Sequence, residues 1–442
     1  MERKPAHSRA VPVPARRLER LGRLGAMTAG LAGNMAVQGI AQLGRGQRPS
    51  MRNLLLTPAN MNRVAEQLAQ MRGAAMKIGQ LVSMDTGEVL PPELAQIMAR
   101  LRDNAHFMPP AQLKQVLNAE WPAGWLGKFA KFDVHPIAAA SIGQVHRAQL
   151  KDGRDLAIKV QYPGVARSID SDVANVGALI RMTGLLPKGF ELAPYLAEAR
   201  KQLHDETDYL REGAALARFG ALLGSHAHFV VPELQADWST QQVLSMSYVP
   251  GTPIEEAAAL PQEDRNRIAA RLVELTLEEL FGFGVMQTDP NFANFRYQTD
   301  TGRIVLLDFG ATRDIPAQIS DQYRRMMRAG LEDDPKTLKE VAVEIGFIGT
   351  ATKEAHRRQI VDMVRTVFAA LRAEPLFDFA QTALSRQMQA QGMALAEDGF
   401  VPPPLPIDVL LLQRKFGGVF LLANRLRARV NVLAMLERFL GD

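Results

Sequence analysis

The sequence predicts an α+β chain in two lobes, with a helical extension ahead of them and a second lobe that is mostly helical. Three observations carry this reading. Asp289 is followed five residues later by Asn294, and Asp308-Phe309-Gly310 closes an apolar run beyond it. Leu156-Ala157-Ile158-Lys159-Val160 reads as a short strand after the Asp152-Gly153 turn. From Leu260 onward the apolar residues recur mostly at helical spacing. The boundaries follow composition: residues 1–50 form a basic tail with a candidate membrane-associating helix, 51–130 the helical extension, 131–250 the first lobe and 251–442 the second.

At 442 residues the chain can bury one large core or several smaller ones. Apolar residues make up 47% and charged residues 22%, which is globular rather than disordered composition. With no cysteine, disulfide scaffolds, thiolate zinc sites and cysteine nucleophiles are excluded. The net charge of +5 suits an anionic lipid surface or a nucleotide, and it is too modest to argue for nucleic acid. The N-terminal M-E-R-K-P-A-H-S-R-A lacks the apolar core of a secretory leader, so a cytoplasmic location is expected.

Residues 1 to 23 carry seven Arg and Lys among Pro and Ala and lead into Leu24 to Gly44, which has no charge. Small residues recur four apart there (Ala26/Gly30, Ala29/Gly33, Ala32/Ala36), a spacing that lets helices approach closely in a membrane. Two readings stand: a helix lying on an anionic membrane or against a partner helix, and a flexible Gly/Ala linker. From Met51 to Met108 the pattern is helical, with Lys77 and Gln80 three apart and so on one face. Met108-Pro109-Pro110 breaks it.

Ala138-Ala139-Ala140-Ser141-Ile142-Gly143-Gln144-Val145 lies on the phosphate-loop pattern G-x-G-x-x-G-x-V, with alanine at the first two glycine positions. A Cβ there narrows how backbone N–H groups wrap phosphates. A rival reading, a nucleophile elbow around Ser141, is weaker because no convincing Ser-His-Asp order follows it. In the strand that follows, Ala157 and Lys159 share one face while Leu156, Ile158 and Val160 share the other. A small residue beside a lysine gives room for adenine and a charge for the α/β-phosphates.

Such a lysine needs a carboxylate to orient it. Glu198 to Phe219 reads helical and offers Glu206, Asp208 and Glu212, with Ser168 to Leu186 as an inserted helix before it. Spacing leaves open which of the three meets Lys159. His204 reads as a helix-surface residue. Val230 to Val249 reads as two strands leading to Pro250-Gly251, where a hinge would join the lobes.

Phe295 to Tyr297 and Arg303 to Leu307 then form a hairpin around Asp300-Thr301-Gly302. A loop with Asp289 and Asn294, a hairpin, and D-F-G match the catalytic parts of protein-kinase-like enzymes: Asp289 beside the nucleophile, Asn294 and Asp308 on metal. The bland alternative is a carboxylate-rich surface loop. After Gly310 the chain enters Ile319-Ser320-Asp321 within a few residues, with no A-P-E and no long activation segment, which counts against an ordinary protein kinase. The Walker A pattern is absent and no internal repeat is visible. The apolar run Val409 to Leu422 is interrupted by Gln413-Arg414-Lys415 and reads as a buried or amphipathic helix.

Together, K-x-G-Q at Lys77 to Gln80, A-A-A-S at Ala138 to Ser141, A-I-K at Lys159, E-x-D at Glu206 and Asp208, Q-T-D-P-N-x-x-N at Gln287 to Asn294 and D-F-G at Asp308 closely resemble the UbiB/AarF family of atypical kinase-like proteins. Within it, the loop is similar to the branch that includes the mitochondrial coenzyme Q biosynthesis ATPases. Gln287 and Asn291 depart from the family's usual H-x-D-x-x-P-x-N. The resemblance covers roughly residues 50 to 330. It implies a two-lobed kinase-like fold and an occluded pocket that binds ATP or ADP with Mg²⁺ or Mn²⁺. Ala138 to Ser141, Val145, Ala157 and Lys159 would line the nucleotide, and Lys77, Gln80, Glu206, Asp208 and Glu212 would restrain it. The implied activity is ATP hydrolysis in support of ubiquinone assembly beside quinone-biosynthesis enzymes, at the periphery of the inner membrane if the chain is bacterial. A homodimer is one oligomeric option. The alternatives are a true kinase acting on a small molecule, lipid or protein, and a nucleotide-gated scaffold without catalysis.

Overall fold

The structure, a computed structural model, describes residues 71, 73–75, 77–78, 107–140, 142–183 and 192–441. The uncharged stretch 24–44, Gln80 and Ser141 lie outside the described residues. The chain divides into two compact units: the first ends at Ala217 and also takes Glu233–Tyr248, and the second takes Arg218–Pro232 and Val249–Asp442.

The first unit is built on an antiparallel sheet in the order β1 (Phe129–Phe132), β3 (Gly143–Leu150), β4 (Asp155–Gln161), β6 (Val243–Ser247), with β2 (Ala138–Ala139) paired to β3. Helix α1 (Pro110–Glu120) begins with proline, whose missing N–H costs nothing in a first turn. It packs with Trp121, Trp125 and Phe129 against Leu156, Ile158 and Val160 of β4. Trp238 closes the cluster, 4.8 Å from the Phe129 ring and 5.1 Å from Trp121. Truncating one such buried aromatic costs on the order of 3–5 kcal/mol. Period two then turns Ala157 and Lys159 to the other face of the sheet.

Helix α2 (Val165–Thr183) is the inserted helix. The single helix expected over 198–219 is instead two, α3 (Ala193–Glu206) and α4 (Tyr209–Leu223). The break has a cause: the Gln161 amide donates to the Thr207 carbonyl at 2.7 Å, taking an acceptor the helix would need. Asp208 then caps α4, accepting from Arg211 N–H at 3.0 Å. His204 is on the α3 surface beside Asp170, 3.2 Å away.

The two strands expected over 230–249 are also interrupted. Phe229–Val230 (β5) belongs to the second unit's sheet, and after Pro232, which has no N–H to donate, Glu233 to Gln235 bond to β6 through Ser247 and Ser245.

In the second unit, β5, β10 (Arg303–Leu306), β9 (Phe295–Gln298) and β7 (Thr252–Pro253) form a sheet in that order. The predicted hairpin is β9 and β10, paired from Arg303↔Gln298 to Leu306↔Phe295. A ribbon of β8 (Val285–Gln287) and β11 (Thr312–Asp314) stands beside the helices. The turn that follows α5 (Gln262–Glu278) joins α6 (Ala317–Glu332), α7 (Pro335–Ile345) and α10 (Ile407–Arg425) in a core of Leu280, Met286, Ile315, Tyr323, Val341, Val409 and Leu412. Between α7 and α10 run α8 (Glu354–Ala373) and α9 (Thr382–Glu397).

His146, on β3, gives the first unit a titratable lock. Its Nδ1–H donates to the Asp133 carbonyl at 2.8 Å, while Nε2 accepts from the Gln144 amide at 2.8 Å. The Gln144 oxygen is itself committed, accepting from Met108 N–H at 2.8 Å. A second proton would place two donors face to face, and burial pushes the imidazole down from 6.5 to about 4. The unfolded chain therefore binds a proton that the folded chain refuses. Stability from this group is complete above the unfolded pKa of about 6.5 and is lost as pH falls toward 4, in total about 3 kcal/mol. Urea unfolding at pH 7.5 and pH 5 should show roughly 2 kcal/mol of that loss. His146→Gln should remove this part of the slope; an unchanged slope would place the titration elsewhere.

Candidate active site

Four predicted nucleotide-side residues share one face of the first unit's sheet. Ala138 is opposite Val145, and Val145 is opposite Lys159, so the three stand in one row across β2, β3 and β4. Ala157 is two residues from Lys159 on that face. Ala139, opposite Gln144, is one residue out of step and so on the other face. Ala140 donates its N–H to the Gly143 carbonyl at 2.8 Å, closing the loop into a tight turn. Gly143 is required by close approach: a Cβ there would lie 2.4 Å from the Val160 carbonyl oxygen. The row continues onto β6, where Leu244 is opposite Lys159 and Met246 opposite Ala157. Sequence reading missed these two, although β6 is an apolar strand just before the proposed hinge.

Lys159 reaches the carboxylate that spacing left open. Its Nζ donates to both oxygens of Glu212 at 2.8 and 3.0 Å, and stands 5.2 Å from the Tyr209 ring centre. Both partners are buried. Lys77 pairs instead with Glu206 at the end of α3. Asp208, the other half of E-x-D, is the cap of α4. The three carboxylates therefore play three separate roles.

In the second unit the hairpin sets the remaining residues. Because Phe295 pairs with Leu306, the residues just outside the hairpin, Asn294 and Leu307, also meet: Leu307 N–H donates to the Asn294 carbonyl at 3.0 Å. Asp308 follows immediately, so Asn294 and Asp308 come to the same end. Phe309 is buried against Phe219, ring centres 5.0 Å apart, and the Asp308 carboxylate accepts Gly310 N–H at 3.1 Å. The Asn294 amide approaches the Asp289 carbonyl and carboxylate at 3.3 and 3.4 Å. Thr288 bonds to the Ala311 carbonyl through its N–H at 3.2 Å and its hydroxyl at 2.8 Å, tying the loop to the residues after D-F-G.

Among the described residues no three His, Cys, Asp or Glu side chains cluster as a metal cage. One carboxylate, Asp308, and one amide oxygen, Asn294, are the donor set that suits Mg²⁺ held largely by a substrate's phosphates. A closed protein-only site would need more oxygen ligands.

The residues that fix this loop are ones sequence reasoning did not place in the site. Glu279 and Lys415 form an ion pair of 3.0 Å, each no more than 2% exposed. Glu279 lies in a π-helical turn, Glu279–Phe283, that ends α5 at Gly284 in the left-handed region (φ 62°). Both charges also serve the Gln287 backbone: its N–H donates to Glu279 at 3.3 Å, and its carbonyl accepts from Lys415 at 2.9 Å. Burial pushes the Glu279 carboxyl up, and Lys415 opposes it. Next to Lys415 on α10, Arg414 pairs with Asp289, and Gln413 donates to the Tyr323 hydroxyl at 2.8 Å. One turn on, Gly418 admits Pro290, since a Cβ would sit 2.2 Å from the proline's own. The signal was present: charges interrupting an apolar run on a buried helix need partners. The opposite side of α10, through Phe416, Gly417 and Phe420, lines an apolar cavity of about 550 Å³ away from the loop.

A lysine–glutamate pair on a glycine-turned sheet and an Asp/Asn/D-F-G set on a hairpin define an atypical kinase-like protein. The ABC1 atypical kinase-like domain matches residues 100–342, and the chain belongs to that family, the UbiB/AarF group its motifs resemble. Atypical kinase COQ8, mitochondrial, of Saccharomyces cerevisiae is 38% identical over 421 residues, spanning 95% of this chain and 84% of its own length. Atypical kinase COQ8B, mitochondrial, of Rattus norvegicus is 36% identical over 429 residues, spanning 96% of this chain and 80% of its own. Among solved structures, the complex of Rv3197 with erythromycin from Mycobacterium tuberculosis superposes with a TM-score of 0.62 at 25% identity, over 86% of this chain and 96% of that one. Among the described residues no helix is long and apolar enough to cross a membrane.

The buried pair makes a direct stability prediction. Lys415→Met leaves Glu279 without its cation and should cost about 3–5 kcal/mol in denaturant unfolding. The double change Lys415→Met with Glu279→Gln, which removes both charges, should cost less than the single one. If the single variant is the milder, the pair is not what holds the loop.

Proposed function

We propose that this chain binds ATP or ADP with Mg²⁺ or Mn²⁺ and hydrolyses ATP, in support of ubiquinone assembly at a membrane. The observation that carries the reading is the hairpin end, which sets Asn294 and Asp308 together with Asp289 in contact with Asn294. Lys159, held by Glu212, is the cation for the α/β-phosphates, and Ala138, Val145 and Ala157 make a flat apolar floor beside it. Asp308 and Asn294 are the metal ligands. The divalent cation, when bound, neutralises charge on the β- and γ-phosphate oxygens. Asp289 orients the attacking oxygen; positioning and charge stabilisation are the main work in such a reaction.

Hydrolysis is favoured over transfer to a protein because the chain leaves Gly310 through β11 and enters α6 at Ala317. Too few residues intervene to build a platform for a peptide. Ala140, where a Cβ restricts the phosphate turn, and Lys77, tied to Glu206, point the same way. The second reading is a kinase for a small molecule or lipid, and the third a scaffold that binds nucleotide and turns nothing over. An anionic membrane surface, quinone-biosynthesis enzymes and a second copy of the chain are the proposed partners, and the proposed place is the membrane periphery.

Mg²⁺-ATP should raise the stability of the parent by about 2.7 kcal/mol at a hundredfold excess over Kd. Asp308→Asn should lose most of that gain in a thermal-shift titration, while keeping the same unliganded Tm. Equal stabilisation of parent and variant would defeat the metal assignment. Free phosphate released with and without anionic vesicles, set against label transferred to an acceptor, separates the three readings.

A further inference from the structure

We infer that Arg414 is the positioning residue for the Asp289 carboxylate, fixing from a distant helix the group that orients the attacking oxygen. The inference rests on the ATPase reading and deepens it. The loop cannot supply this cation itself: Asp289-Pro290-Asn291-Phe292-Ala293-Asn294 contains no Lys or Arg. Arg414 supplies it across 125 residues of chain, its Nη2 donating to Asp289 Oδ1.

The two carboxylate oxygens are thereby given different surroundings. Oδ1 is taken by the guanidinium, and Oδ2 faces the Asn294 amide at 3.4 Å. The second oxygen is the one turned toward the metal-ligand side of the loop, where an attacking oxygen must be held. Both Arg414 and Asp289 are largely buried, so water screens the pairing little.

Arg414 is itself held in place on both sides along α10. Gln413 is bound to Tyr323, Lys415 to Glu279 and Gln287, and Gly418, one turn on, seats Pro290. The planar fork of an arginine fixes a carboxylate's direction in a way a lysine's point charge does not. A loose phosphoryl-transfer transition state asks for orientation of the nucleophile more than for proton abstraction from it.

The test measures ATP turnover by the full chain with Mg²⁺ for the parent, Arg414→Ala, Arg414→Lys, Asp289→Asn and the double variant Asp289→Asn/Arg414→Ala. Arg414→Ala should lower kcat about a hundredfold, the scale of a misoriented reacting group. Its KM for ATP and its stabilisation by Mg²⁺-ATP should stay within about twofold, since the nucleotide contacts are elsewhere. Arg414→Lys should recover part of kcat. In the Asp289→Asn background, Arg414→Ala should cause no further loss, because the two residues act as one unit. Independent, multiplying losses overturn the inference, as does an unchanged kcat or a loss confined to KM. If Arg414→Ala does not fold, Arg414→Lys and Arg414→Gln carry the same comparison. A parent that binds Mg²⁺-ATP and releases no phosphate defeats the hydrolysis reading instead. In that case unfolding free energies of the same variants decide the pairing, and no coupling between positions 289 and 414 overturns it.

Discussion

The buried pair of Glu279 and Lys415 is the interaction on which the second unit's loop from Gln287 to Asn294 depends. Moving two charges out of water costs several kcal/mol per ion, and an ion pair alone often fails to recover it. Here each charge also holds the backbone, since Glu279 accepts the Gln287 N–H and Lys415 donates to the Gln287 carbonyl. The backbone at the start of the loop is thus held through both its donor and its acceptor. An apolar pair of the same volume would fill the space and leave those two polar atoms without partners.

In the first unit the corresponding constraint is the two-sidedness of β4. Its Leu156, Ile158 and Val160 are committed to α1 and the tryptophans, and this alone fixes which way Lys159 faces. The break between α3 and α4 then separates two carboxylates that one helix could not have distributed so. Six residues along a continuous helix turn a side chain by about 240°, and Glu206 and Glu212 would be fixed at that angle. With the helix interrupted at Thr207, each finds its own lysine, Lys77 for Glu206 and Lys159 for Glu212.

What could be read from the sequence was whatever local pattern decides. The strand with Lys159, the hairpin between Asn294 and Asp308, and a helix over the apolar run 409–422 all followed from local apolar pattern and turn residues. The helix break did not, because its cause is Gln161, some 46 residues away, reaching the Thr207 carbonyl. Nor did the choice of Glu212 over its neighbours, which depends on where that break falls. The fragmentation of the expected strand at 230–235 turns on Pro232, a residue whose lost N–H was visible but whose ladder partner was not. Arg414 and Lys415 were seen only as interruptions of an apolar run. Their partners lie more than 120 residues earlier, and no local rule names them.

That interruption shows what a buried helix with charges is for. Around α10, Val409, Leu412 and Leu422 face a core, Phe416 and Phe420 a cavity, and Arg414, Lys415 and Gly418 a loop. Gln413, Gly417, Leu421 and Arg425 stay exposed along one stripe, but the rest of the helix is packed, and moving it disturbs three packings at once. Adjacent glycines at 417 and 418 would cost roughly 1 kcal/mol each in an exposed helix. At 418 the cost is offset by the seat it makes for Pro290, and that contact is made by backbone shape, which no rotamer change can undo. Asp289 and its loop are therefore fixed by charge at Arg414 and by shape at Gly418, four residues apart on one face. The two constraints differ in kind: the ion pair sets the direction of the Asp289 carboxylate, and the proline seat sets where the backbone of its loop lies.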